Sequence, residues 1–180
     1  VSGIYSPGTN TEFNLNYQSN YLCCICIEEY TFINSNKNGT SIGIAFTDLS
    51  TGTTKLFETN SKLKDVNYPL DEVYRLLQTY EPKEILLFSN SYENLTKDMI
   101  EYKLEIETIP HYFKITNLEN QKKTVQEKIL ENSFENSTQL TIFEYLCIEK
   151  YDALITSFVE LLTYVVKLNP TIITKLQKGY

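Results

Sequence analysis

The chain has 180 residues, 42% of them apolar and 22% charged, a balance that excludes wholesale disorder and suits one domain with a good core. Its formal net charge is −7 and its pI about 4.8, so this chain alone is not expected to grip DNA tightly through its phosphates. No apolar run approaches the roughly 18 residues of a membrane span, and none has the form of a secretory leader.

Residues 1–19 are polar, and Pro7-Gly8 punctuates them as a turn or linker. Tyr21–Ile27 is apolar throughout and ends in Glu28-Glu29, as a central strand covered on both faces would. Ser41–Leu49 predicts a second strand, Ser50-Thr51-Gly52 a turn and Thr53–Thr59 a third strand, which together make an antiparallel meander. The period then changes. Pro69, with Asp71 and Glu72 behind it, opens a helix whose apolar side is Val73, Leu76, Leu77 and Tyr80, and Glu81-Pro82 ends it.

Glu84–Phe88 predicts a fourth strand, parallel to the first. Tyr92–Tyr102 has the composition of a helix, and Leu104–Ile109 alternates like a fifth strand closed by Pro110. Leu118–Leu130 is helical in composition, and Leu140–Leu168 carries the strongest helical period, stopped by Asn169-Pro170. The order βββαβα(β)αα predicts an α/β fold of the ribonuclease H-like kind: a mixed sheet, part antiparallel meander and part parallel crossover, flanked by helices.

The cysteines are Cys23, Cys24, Cys26 and Cys147. The first three follow a C-C-x-C spacing, which is not that of a zinc site, and alternation puts Cys24 and Cys26 on one face of the strand and Cys23 on the other. Buried, reduced thiols in an intracellular compartment are the expectation. His111, the one histidine, has no local signature of a catalytic base beside it. No phosphate-binding glycine loop occurs, which excludes an ATPase motif in this segment. The ribonuclease H-like order raises one enzymatic alternative, a metal-dependent nuclease or resolvase, with Glu28, Asp48 and Glu84 as candidate ligands. That chemistry needs a carboxylate in the middle of the first strand, where the chain has only apolar residues and cysteine. Asp48 stands next to a turn, where a carboxylate commonly accepts turn N–H groups.

Asn20-Tyr21-Leu22, the run from Gly43 to Gly52 and Pro82-Lys83-Glu84-Ile85-Leu86-Leu87 together resemble the connector (second) domain of MutS-type DNA mismatch repair proteins. Gly43-Ile44-Ala45-Phe46-Thr47-Asp48-Leu49-Ser50-Thr51-Gly52 is similar to that domain's second strand and turn and is the most specific. Ser6-Pro7-Gly8-Thr9 resembles the stretch that closes the mismatch-recognition domain, and Asn20-Tyr21-Leu22 the start of the connector. Pro82-Lys83-Glu84-Ile85-Leu86-Leu87 resembles the fourth strand and Leu161-Leu162-Thr163-Tyr164 the final helix. Thr53 departs from the pattern, standing where bacterial members often carry Glu.

The resemblance implies three segments: a linker at 1–19, the connector at 20–168, and a linker toward a helical core at 169–180. It implies a non-catalytic segment, with hinges at Ser6, Pro7, Gly8, Thr9, Asn169 and Pro170 and a structural turn at Asp48, Ser50, Thr51 and Gly52. It implies no cofactor or metal here, ATP and Mg²⁺ being used elsewhere in the parent protein. The implied partners are the other domains of the same chain and a MutL-like protein, with DNA met only through the full-length protein and no membrane contact.

Overall fold

The computed structural model describes residues 20–33, 35, 37–116, 120–134, 136 and 138–168. One five-stranded sheet runs through it in the order β3-β2-β1-β4-β5. Its strands are β1 (Tyr21–Thr31), β2 (Asn38–Asp48), β3 (Thr54–Asn60), β4 (Glu84–Ser89) and β5 (His111–Ile115). The first three form the antiparallel meander, while β4 lies parallel to β1 and β5 parallel to β4. The arrangement is a mixed α/β sheet flanked by helices, compatible with the ribonuclease H-like class.

The helices among the described residues are α1 (Tyr68–Tyr80), α2 (Lys97–Leu104), α3 (Lys123–Ser133), α4 (Ile142–Tyr145) and α5 (Asp152–Leu168). They divide between the two faces by strand alternation. Cys23, Ile25 and Ile27 point into one apolar cluster, with Leu70, Val73 and Leu77 of α1 and Ile100 and Leu104 of α2. Leu22, Cys24 and Cys26 point into the other, with Leu130 of α3, Ile142 of α4 and the apolar side of α5. The central strands are therefore covered on both sides, which is why β1 and β4 read as continuous apolar runs. Phe46 and Phe158 are among the largest fully buried side chains, and each contributes about 1.5–3 kcal/mol of burial to its cluster.

Three expectations are corrected. Leu104–Ile109 is not the fifth strand: Leu104 ends α2, Glu105 caps it in the left-handed region (φ 52°), and the strand lies after Pro110, at His111–Ile115. The alternation arose because Leu104 and Ile106 both reach the core from a helix end. Helix α2 starts at Lys97 rather than Tyr92, since Thr96 supplies its cap by accepting the Met99 N–H. Tyr92 lies before the helix and donates its hydroxyl hydrogen to the carbonyls of Leu87 (3.2 Å) and Lys114 (2.8 Å). Leu140–Leu168 is two helices, broken where Cys147 takes φ 58°.

Candidate functional site

The turn after β2 is built from residues that use one another's polar groups. The Asp48 N–H donates to the Thr53 carbonyl at 2.9 Å and the Gly52 N–H to the Asp48 carbonyl at 2.7 Å. The buried Asp48 side chain accepts the Ser50 N–H at 2.9 Å and also the Ser50 hydroxyl. Gly52 takes φ 77°, a conformation that a residue with a Cβ adopts only under strain. The Thr47 and Thr54 hydroxyls meet across the strand pair at 3.2 Å. Asp48, Ser50, Thr51 and Gly52 thus share one compact turn. Ser6, Pro7, Gly8, Thr9, Asn169 and Pro170 lie outside the described residues.

The three candidate carboxylates are not brought together. Asp48 is opposite Tyr21 and Glu84 is beside Leu22. Consecutive residues of a strand face opposite ways, so these two acids lie on opposite faces of the sheet. Glu28 is six residues beyond Leu22 along β1, about 20 Å from Glu84 at the usual strand rise. Among the described residues no group of three or more His, Cys, Asp or Glu side chains could hold a metal ion.

Other reactive groups serve as structure. Burial pushes the thiols of Cys23, Cys24 and Cys26 well up, which removes thiolate nucleophiles from the core. His111 opens β5, with Nδ1 2.8 Å from the Ile109 carbonyl and Nε2 3.0 Å from Glu101 Oε1. Burial by itself would lower its pKa, but the hydrogen bonds to Ile109 and Glu101 prevail and raise it. The ring thereby ties α2 to the outermost strand. At the carboxyl end of β1, a polar cavity of about 390 Å³ is lined by Glu28, Asn90, Lys123, Gln126, Asp152 and Thr156. Burial, then the charges of Asp152 and Glu58, raise the pKa of Glu28 there.

Two relationships were invisible in the chain order. Glu58 of β3 accepts the Leu154 N–H at 3.0 Å and so caps the first turn of α5. Tyr164 near the end of α5 donates to Glu84 at the start of β4 at 2.7 Å. Both of the latter residues stand in segments singled out above, but nothing local links positions 80 residues apart.

A helix-flanked mixed sheet whose turn and buried thiols serve the fold defines an α/β domain of ribonuclease H-like order. The family model for MutS domain II matches residues 20–177, and the chain belongs to that family, the connector domain of MutS-type DNA mismatch repair proteins. It is also similar to a DNA mismatch repair protein mutS homolog of Acanthamoeba polyphaga mimivirus, with 32% identity over 142 residues. That match covers 76% of this chain and 12% of the relative, so the chain spans only a small part of the longer protein. No helix among the described residues is long and apolar enough to cross a membrane.

Proposed function

We propose that this domain is a non-catalytic connector of a longer MutS-like mismatch repair ATPase, relaying nucleotide- and mismatch-dependent motion between the domains on either side. The observation that carries this reading is the course of α5 across the sheet. Asn20 leads into the start of β1. Helix α5 crosses the sheet, from Ala153 beside Gly43 of β2, past Ser157 on Cys24 of β1, to Tyr164 on Glu84 of β4. The start of β1 and Tyr164 near the end of α5 therefore lie at the same end of the sheet. A rigid sheet whose first strand begins on the same side as the end of α5 suits a lever that swings as a body.

In this reading residues 1–19 and 169–180 are linkers, with Ser6–Thr9 and Asn169-Pro170 as hinges. ATP and Mg²⁺ act elsewhere in the parent protein, and the domain itself needs neither. DNA is met by the parent rather than by this acidic module, whose surface instead offers a docking site for a MutL-like protein. Substituting Pro7 and Gly8 in the full-length protein tests the relay. ATP-dependent clamp formation on mismatched DNA should change in rate while ATP binding persists; unaltered clamp kinetics would count against it.

A further inference from the structure

Helix α5 is fastened to the sheet by polar contacts as well as by its apolar side. The Leu154 N–H donates to Glu58 near the helix start, and the Ser157 hydroxyl donates to the Cys24 carbonyl at 3.1 Å in its middle. Toward its end the Tyr164 hydroxyl donates to Glu84 Oε1 at 2.7 Å. This last contact differs from the others in its setting. Glu84 has no exposed surface, and it sits at the first position of a strand whose next residues are Ile85, Leu86 and Leu87. A carboxylate there is desolvated, and a well-packed apolar pair would fill the same space without that penalty. The Lys114 ammonium lies 5.8 Å from the Tyr164 ring and 5.9 Å from the Phe88 ring, so the surroundings of the pair are themselves charged on one side. Beyond Tyr164 the helix has four more residues, of which Val165 is buried.

We propose that the Tyr164–Glu84 hydrogen bond is a latch on the outgoing end of the domain. Closed, it holds the last turns of α5 against the sheet, so that the domain and the chain that follows move together. Open, it releases those turns while the sheet and the first half of α5 stay folded. The physical basis is directionality. A hydrogen bond weakens steeply when its geometry is lost, whereas apolar contact fades gradually, so a polar pair makes a sharper two-state contact. Helix ends open locally at far lower free energy than the global transition. The latch as a contact stands apart from the relay; its use in transmitting motion rests on the function proposed above.

Amide hydrogen exchange of the 180-residue chain tests it. Tyr164→Phe removes the donor and should speed exchange of the amides from Leu161 to Leu168 by roughly ten- to hundredfold. The amides of β1 and of the first half of α5 should keep their rates. Glu84→Gln retains an acceptor and should give a smaller, still local, increase; it also supplies the reading if the phenylalanine variant does not fold. An equal acceleration in β1, or no acceleration at the helix end, would overturn the latch. The same exchange in the full-length protein, with and without an ATP analogue, separates the two ideas. Local opening in the variants without any nucleotide effect on the wild type would leave the latch standing and remove the relay.

Discussion

Gly43 in β2 and Ala153 in α5 meet backbone to backbone. A Cβ on Gly43 would lie 2.1 Å from the Ala153 carbonyl oxygen and 2.3 Å from the Leu154 nitrogen. The first turn of α5 is seated directly on the strand, and its depth is set by the missing side chain. Glu58, next to Gly43 on β3, then reaches the Leu154 N–H.

Gly43→Ala should therefore be costly, because the atoms in the way are main chain and cannot rotate aside. Overpacking of this kind costs about 1–3 kcal/mol, and here the upper end is expected. Urea unfolding followed by circular dichroism gives the value; a midpoint equal to the wild type's would mean that the helix can ride higher without loss.

The turn after β2 makes a second prediction. Asp48→Ala removes the acceptor of the Ser50 N–H and should lower stability by about 1–2 kcal/mol, comparable to losing a helix cap. Gly52→Ala, at φ 77°, should cost about 1–2 kcal/mol through strain. The two changes lie in one turn and should not add, so a double variant that shows the full sum would contradict a shared structural unit.

His111 predicts a pH dependence. Its hydrogen bonds raise the folded pKa above the usual 6.5, so the folded protein holds the proton longer than the unfolded chain does. The clasp's stabilisation is fully present below about pH 6.5 and is lost as pH rises through the raised value. His111→Phe should therefore cost more at pH 6 than at pH 9. The difference should stay under about 1 kcal/mol, because Glu101 is partly exposed and solvent screens the pair. Thermal melts of both proteins across that range would show it, and parallel pH curves would rule the clasp out.

Glu28 shares that slope with pH, but its substitution should stabilise. Its pKa is raised by burial and by Asp152 and Glu58, so its charged form is a liability in the folded state. Glu28→Gln should stabilise the domain at pH 7 by about 0.5–1 kcal/mol. The gain should shrink as pH falls through the raised value toward 4.5, because folded Glu28 takes up its proton above its ordinary pKa. A variant less stable than wild type at pH 7 would show that the carboxylate has a favourable role.

Much of the fold was legible in local patterns. Tyr21–Ile27 and Glu84–Phe88 read as covered strands because both of their faces are packed, and α1 read cleanly because its period, its early proline and Glu81-Pro82 all agree. The fifth strand was misplaced because Leu104 and Ile106, core residues around a helix end, imitate strand alternation. The true strand is a sheet edge with mixed exposure, which gives a weak signal.

Periodicity along the chain was enough for the class of fold, and short motifs carried the resemblance to the family, because both are properties of neighbouring residues. The same local reading placed the Asp48–Gly52 turn, whose geometry depends on residues within a few positions. It took the folded arrangement to reveal that Asp48 and Glu84 face opposite sides of the sheet, that Gly43 seats α5, that Glu58 caps it and that Tyr164 reaches Glu84. Those relationships depend on strand register and on the height of a helix above a sheet. Both are set by packing between segments far apart in the chain, and no local pattern encodes them.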